Sequence, residues 1–138
     1  MPHNLTFTTR HQYDQTAISI SVPVELKVGD RGVRVPNTKL DTGAIFCIFQ
    51  QGIGESLGLD VEGGHQERIA TATGQFLAYG HEVLLSALGF EFPVVVYFAN
   101  VPGFGRNILG RRGWLEQLRI GIIDYDGELF VSAYNDEQ

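Results

Sequence analysis

The sequence has a single cysteine, Cys47, and fewer basic than acidic residues. One thiol cannot form an intramolecular disulfide, so the cysteine content does not favour an oxidising compartment. Ten Lys and Arg residues stand against sixteen Asp and Glu residues, a net charge of −6, whereas proteins that bind nucleic acid need a basic surface. We therefore expect no nucleic-acid partner. Four arginines lie close together in the sequence: Arg106, Arg111, Arg112 and Arg119. We interpret this arginine cluster as a helix face and a site of pairing between subunits, in preference to a nucleic-acid site.

The sequence also lacks a long, uninterrupted hydrophobic run. Its most apolar stretch, residues 83–98, is broken by Gly89, Glu91 and Pro93 and is too interrupted for a membrane-spanning helix. The first fifteen residues lack the basic start and apolar core of a signal peptide. We expect no membrane association and a cytoplasmic location.

Residues that could bind a metal or a phosphate do not occur at the spacings typical of such sites. The segment at residues 103–110, GFGRNILG, lacks the Gly-Lys-Ser/Thr ending of a phosphate-binding loop. Cys47 lies in an apolar run and is interpreted as a small buried hydrophobic residue. We expect no metal and no organic cofactor, because the four histidines are scattered: His3, His11, His65 and His81.

Glycines and alternating apolar residues are what the sequence does contain. Seventeen glycines imply many turns, and 43% hydrophobic with 19% charged residues fits one folded domain over residues 1–138. Apolar alternation predicts strands, with an edge or bulge at Pro23 and a turn at Asp126–Gly127. The predicted strand regions are 17–28, 33–35, 38–40, 67–88 around a turn at 73–75, 90–99, and a hairpin at 120–134.

Two segments are predicted to be short helices, at residues 50–59 and 110–120. In the second, Trp114, Leu115 and Leu118 form an apolar face, and Trp114 is interpreted as a core anchor. About eight strands with two helices predict an all-β barrel or sandwich with a helix packed on it.

A lone carboxylate, Asp41, lies between apolar flanks in the stretch TKLDTGAIFCIF, residues 38–49. An unpaired buried charge is strongly unfavourable. Taken alone, Asp41 either begins an ordinary loop or is half of a catalytic pair. A glycine-tipped hairpin and then an apolar-apolar-glycine segment, residues 108–110, follow it along the chain.

In this order the three segments resemble the retropepsin-like aspartic proteases, which are small single-domain acid proteases. Residues 40–44, LDTGA, resemble the catalytic loop, and residues 70–83 resemble the flap hairpin. Residues 107–115, NILGRRGWL, resemble the apolar-apolar-Gly-Arg segment that precedes the family's C-terminal helix. The resemblance implies an all-β, closed acid-protease barrel with a flap hairpin and one or two short helices.

The resemblance makes Asp41 the catalytic residue of an aspartic endopeptidase. Two facing carboxylates share a proton, and together they activate a water that attacks a peptide carbonyl. The sequence contains one Asp-Thr-Gly, so the second carboxylate is expected to be Asp41 of another subunit in a symmetric homodimer.

Neighbouring positions take family roles by the same resemblance. Thr42 would brace the two loops, Gly43 would let the substrate backbone approach, and Ala44 offers no hydroxyl to the pair. The flap residues would be Thr71, Ala72, Thr73, Gly74 and Gln75. The loop that supports the catalytic loop would be Ile108, Leu109, Gly110 and Arg111, with Gly110 allowing close contact.

One position departs from the family. Viral members carry an acid two residues after the Gly, where it pairs with the Arg of the Gly-Arg motif, and this chain has Ile45 there. We therefore expect the floor of the substrate-binding cleft to be more apolar than it is in the viral members. The alternative function is a catalytically silent, retropepsin-like dimerisation or binding module, and a second rival is a regulatory protease that acts on one partner protein only.

Overall fold

The computed structural model describes residues 1–137 and is predominantly β-structure, which confirms the all-β class. This part of the chain contains ten strands, one short α-helix and three 3-10 turns. The helix α1 is Gln51–Ser56, and the 3-10 turns are Val61–Gly63, Leu115–Gln117 and Asp124–Asp126. The strands are β1 Thr9–Gln12, β2 Ser21–Val28, β3 Arg31–Leu40, β4 Ile48–Gln50, β5 His65–Thr71, β6 Gly74–Ala87, β7 Phe90–Ala99, β8 Ile108–Leu109, β9 Leu118–Ile123 and β10 Glu128–Ala133.

The larger sheet closes on itself. Its seven strands follow the order β2-β3-β8-β4-β7-β6-β5, and an additional pairing between β2 and β6 joins six of them into a ring. Strand β5 extends the sheet from β6 as the second arm of a hairpin. Two of the pairings, β3 with β8 and β4 with β7, are parallel, so segments far apart in the sequence enter the ring side by side.

A smaller sheet of three strands, in the order β1-β10-β9, shares its core with the ring. Leu118, Leu129 and Val131 of this sheet belong to the same buried cluster as Leu26 of β2. Trp114 is fully buried in that cluster, which confirms its interpretation as a core anchor. Burial of apolar surface between the two sheets therefore stabilises both of them.

Several local predictions are confirmed. The register between β2 and β3 shifts between Val22 and Val24, which places an irregularity at Pro23. Helix α1 lies inside the predicted region 50–59. Strands β9 and β10 form the predicted C-terminal hairpin, with its turn at residues 124–127.

The predicted helix at residues 110–120 is wrong. Gly113 has a φ of +95°, outside the helical range, and only the single 3-10 turn Leu115–Gln117 follows. Leu118 then begins β9, in which β-branched residues favour an extended chain. The two short strands predicted before Asp41 are one continuous strand, β3.

Among residues 1–137 there is no helix of the length and apolar character needed to cross a bilayer.

Candidate functional site

Asp41 directly follows β3, where the strand ends against β8. Lys39 and Leu40 pair in parallel with Ile108 and Leu109, and the main-chain N–H of Asp41 donates to the carbonyl oxygen of Leu109 at 3.0 Å. The carboxylate is thus held at the end of a fixed strand and not on a free loop. Sites on such rigid elements keep their geometry better than sites on mobile loops.

A tight turn fixes the orientation of the Asp41 side chain. The N–H of Gly43 donates to Asp41 Oδ1 at 2.9 Å, and the N–H of Ala44 donates to the Asp41 carbonyl oxygen at 3.2 Å. Lys39 Nζ lies 3.8 Å from Asp41 Oδ2, and both side chains are partly exposed. Thr42 and Gly43 are exposed at the tip of this turn.

The segment after β8 is hydrogen-bonded to the Asp41 loop, residues 41–46. Arg111 N–H donates to the Ala44 carbonyl at 2.9 Å, and Arg112 N–H donates to the Ile45 carbonyl at 2.7 Å. A Cβ at Gly110 would lie 2.2 Å from the Phe46 carbonyl oxygen, so only glycine allows this approach. Two of the three segments in which the sequence resembles the retropepsin-like family are therefore hydrogen-bonded to each other.

The guanidinium of Arg111 is exposed and forms no ion pair within residues 1–137, consistent with the absence of an acid at Ile45. Arg112 pairs with Glu116 at 3.7 Å, and Arg119 donates to the Thr6 and Asp136 carbonyl oxygens. Because no helix forms here, the predicted arginine-bearing helix face is wrong.

Asp41 lines a cleft of about 470 Å³ between the Asp41 loop and the β5–β6 hairpin. Its walls are mainly apolar, and Asp41 is the single carboxylate among the residues that line it. The cleft is lined by Asp41, Gly43, Ala44, Ile45, Phe46, Ile48, Arg68, Ile69, Ala70, Thr71, Phe76, Phe104, Arg106 and Ile108.

The cleft has its own hydrophobic cluster, separate from the main core. Ile48, Ala99 and Ile108 are buried beneath it. Phe76 and Phe104 face each other with ring centroids 5.2 Å apart and are partly buried against this cluster. Partly buried aromatic rings next to a carboxylate form a surface that can accept a large apolar side chain.

The β5–β6 hairpin lines the cleft with residues 68–71 and Phe76, which lie next to its turn, and not with the turn itself. Ile69 and Thr71 share one face of β5 by strand alternation, and both line the cleft. Thr71 Oγ1 donates to the Gly74 carbonyl at 3.0 Å and closes the turn. Of the five predicted flap residues Thr71 lines the cleft, and the other four, Ala72, Thr73, Gly74 and Gln75, are exposed beyond it.

The loop that carries Phe104 is anchored to β4. Gln50 Nε2 donates to the Phe104 carbonyl at 3.0 Å, and the Gln50 N–H donates to Asn107 Oδ1 at 3.0 Å. Asn107 Nδ2 returns a bond of 3.3 Å to Gln50 Oε1. These bonds hold the wall of the cleft formed by residues 104–106.

Sequence reasoning did not identify the side walls of the cleft. Phe76 was expected in the flap hairpin and Arg106 in the arginine cluster, but neither these two residues nor Phe104 was expected in the wall of a cleft. One signal was available for Phe76, because it pairs across the hairpin with Ile69 and so lies on the same face. No local pattern marks Phe104 or Arg106, since their role depends on a contact with β4 that is remote in sequence.

Cys47 lies next to the Asp41 turn, but its thiol is shielded from solvent. Its side chain is fully buried, and burial raises the pKa of the thiol to about 12. A neutral thiol is a poor nucleophile, which argues against cysteine-based catalysis at this site. Within residues 1–137 no three His, Cys, Asp or Glu side chains converge as a metal site would require.

Comparison with models of known protein families finds no match to this chain, and comparison with curated proteins finds none either.

Proposed function

We propose that the protein is a homodimeric aspartic endopeptidase whose ring of strands is a retropepsin-like acid-protease barrel. The observation that carries the proposal is Asp41 at the edge of an apolar cleft, on a turn bonded from below by the Ile108–Arg111 segment. This arrangement joins the three segments in which the sequence resembles the family. A strand-end carboxylate beside an apolar groove suits a reaction on an extended peptide.

The chemistry requires a second carboxylate. Asp41 is the single acid lining the cleft, and one carboxylate cannot act as general base and general acid at once. In the proposed dimer the two Asp41 side chains share one proton across a two-fold axis. One of them takes a proton from water as the water attacks the peptide carbonyl, and the other protonates the developing oxyanion. As the resulting diol collapses, the first gives its proton to the amide nitrogen, the second takes the hydroxyl proton back, and the C–N bond breaks.

Exposure around the turn supports this assembly. Thr42 and Gly43 are exposed in the single chain, and Ile45 is 57% exposed although it is a large apolar residue. A second copy placed with its Asp41 opposite the first would cover these residues. An exposed apolar side chain beside a catalytic turn is what an unpaired protomer presents.

Replacement of the catalytic carboxylate tests the proposal. We expect Asp41→Asn to lower kcat/KM for peptide cleavage by at least about a hundredfold, with KM little changed, because the amide cannot take or give the proton. Digestion of a peptide library between pH 3 and 8, with product detection by mass spectrometry, supplies the substrate for this measurement.

Asp30→Asn is the matched control, because Asp30 is an exposed carboxylate in the turn between β2 and β3, outside the cleft. It should retain the activity of the parent protein. If the purified Asp41→Asn and parent proteins, both free of contaminating proteases, cleaved peptides equally, the proposal would be refuted.

The second candidate function, a silent dimerisation or binding module, is favoured by one contact. Lys39 Nζ lies 3.8 Å from Asp41 Oδ2 and occupies one oxygen of the carboxylate that catalysis needs. A silent module would bind peptides in the cleft equally well with Asp41 or Asn at that position and would cleave none of them.

A further inference from the structure

We propose that the cleft selects peptides that carry an acidic side chain close to a large apolar one, and that Arg106 is the residue that binds the acidic side chain. The inference rests on the proposed function, because it names the substrate class of the same cleft. It is drawn from the charges and contacts of the cleft walls.

The local charge of the cleft is opposite to that of the molecule. The whole chain has a net charge of −6, yet two arginines and one carboxylate line the cleft. The carboxylate, Asp41, already lies 3.8 Å from Lys39 Nζ. The remaining positive charge has no acidic neighbour in the cleft, and such a local field attracts an acidic ligand.

Arg106 is the better placed of the two arginines. Residues 68–71 of β5 all line the cleft, but Ile69 packs against the buried cluster beneath it, and strand alternation directs the Arg68 side chain to the opposite face of β5. Arg106 lies on the anchored loop that also supplies Phe104 to the cleft wall. We therefore assign recognition of the acidic side chain to Arg106.

The backbone that carries Arg106 is held on both sides. Two residues before it, the Phe104 carbonyl accepts a bond from Gln50 Nε2 at 3.0 Å. Directly after it, Asn107 accepts from the Gln50 N–H through Oδ1 and from the Lys39 N–H at 2.8 Å through its carbonyl oxygen. A fixed backbone gives the guanidinium a defined starting point, which lowers the entropic cost of binding a carboxylate.

The guanidinium itself is available. Arg106 is exposed and forms no ion pair or side-chain hydrogen bond with any of residues 1–137. Arginine binds carboxylates through two parallel hydrogen bonds. The adjoining Phe76 and Phe104 rings provide the apolar half of the same recognition surface.

A positional peptide set tests this inference. Each octapeptide has Phe-Phe at its centre, and each flanking position in turn carries Glu, Gln or Lys. Binding is measured by fluorescence anisotropy with the Asp41→Asn protein, which cannot turn the peptide over. At one position we expect Glu to bind about fivefold more tightly than Gln, and this advantage should shrink as salt is raised.

Variants at Arg106 test whether this residue binds the acidic side chain of the peptide. In the Asp41→Asn background, Arg106→Ala should abolish the preference for Glu over Gln, Arg106→Lys should keep most of it, and Arg106→Glu should favour the Lys peptide. The matched control is Arg34→Ala, which removes an exposed arginine of β3 outside the cleft and should leave the preference intact.

Three results would overturn the inference: no Glu preference at any position, a preference that survives Arg106→Ala, or no binding of any peptide. Failure of the proposed function is a separate result, since it would be absence of cleavage by the protein with Asp41 intact. If the preference for Glu depended on Arg106 but the protein with Asp41 intact cleaved no peptide, Arg106 would keep its role in binding the acidic side chain. The proposed protease function would then be refuted.

Discussion

At the residue scale, Gly110 allows the segment after β8 to contact the Asp41 loop. The main chains at Gly110 and Phe46 pass so closely that the nearest atoms to a Cβ would be backbone: the Phe46 carbonyl at 2.2 Å and the Ala44 carbonyl oxygen at 2.9 Å. Backbone atoms in a hydrogen-bonded loop cannot rotate away as a side chain would. The position of Asp41 therefore depends on the absence of a single methyl group at the end of the neighbouring strand, β8.

Substitution at this glycine should be costly. We expect Gly110→Ala to lower the free energy of unfolding by about 1–3 kcal/mol, as overpacking in a well-packed interior does, measured by urea denaturation. Gly52→Ala is the matched control, because a Cβ at Gly52 in helix α1 meets nothing within 4 Å. The control should be neutral or stabilising. Equal stability of the Gly110→Ala and parent proteins would contradict the close approach.

At the element scale, the N-terminal strand is tied to the C-terminal hairpin. Strand β1 pairs with β10, and just beyond it the Tyr13 N–H donates to the Gly127 carbonyl at 2.9 Å. The Tyr13 hydroxyl donates to the carboxylate of Asp124 in the turn of the hairpin. This bond to Asp124 raises the pKa of Tyr13 to about 12, because the neutral phenol is the donor.

The raised pKa predicts a loss of stability at alkaline pH. The Tyr13 contribution should be complete below pH 10.0, the pKa of a free tyrosine, and should disappear as the pH rises to about 12. The difference in unfolding free energy between the parent protein and Tyr13→Phe should therefore shrink between these two values. Urea denaturation at a series of pH values measures it.

Tyr125→Phe is the control for this series, since Tyr125 is 91% exposed. Its difference from the parent protein should stay small throughout. A Tyr13→Phe difference that does not change between pH 9 and pH 12 would show that the hydrogen bond to Asp124 does not stabilise the fold.

At the scale of the whole molecule, one chain supplies half of the proposed catalytic pair. The cleft contains one carboxylate, and the turn that bears it is exposed. A two-fold axis through the two turns would complete the pair and cover Ile45. Activity should therefore follow the dimer concentration and fall on dilution below the dissociation constant.

Mixed dimers test the shared site directly. When equal amounts of parent and Asp41→Asn chains are unfolded together and refolded, about a quarter of the dimers contain two intact carboxylates. We expect specific activity per total chain to fall to that fraction. Mixing with the Asp30→Asn control should leave activity unchanged. A fall to only one half would mean that each chain acts alone.

Strand content was predictable from local pattern, because alternation along a chain directly reflects which face of a strand is buried. This accounts for strand β2, with its irregularity at Pro23, and for the C-terminal hairpin. The prediction failed at residues 110–120, where an apolar spacing compatible with a helix was outweighed by the conformation of Gly113 and the pairing of β9 with β10.

The sequence by itself determined the all-β class and singled out Asp41, Gly43, Ala44, Thr71 and Ile108, which the fold brings to one cleft. Only the tertiary structure added Phe76, Phe104 and Arg106 to its walls. The reason is physical: strand periodicity is set by neighbours in sequence, whereas the cleft is set by ring closure and by the parallel pairings of β3 with β8 and β4 with β7. Those contacts join segments that no local pattern relates.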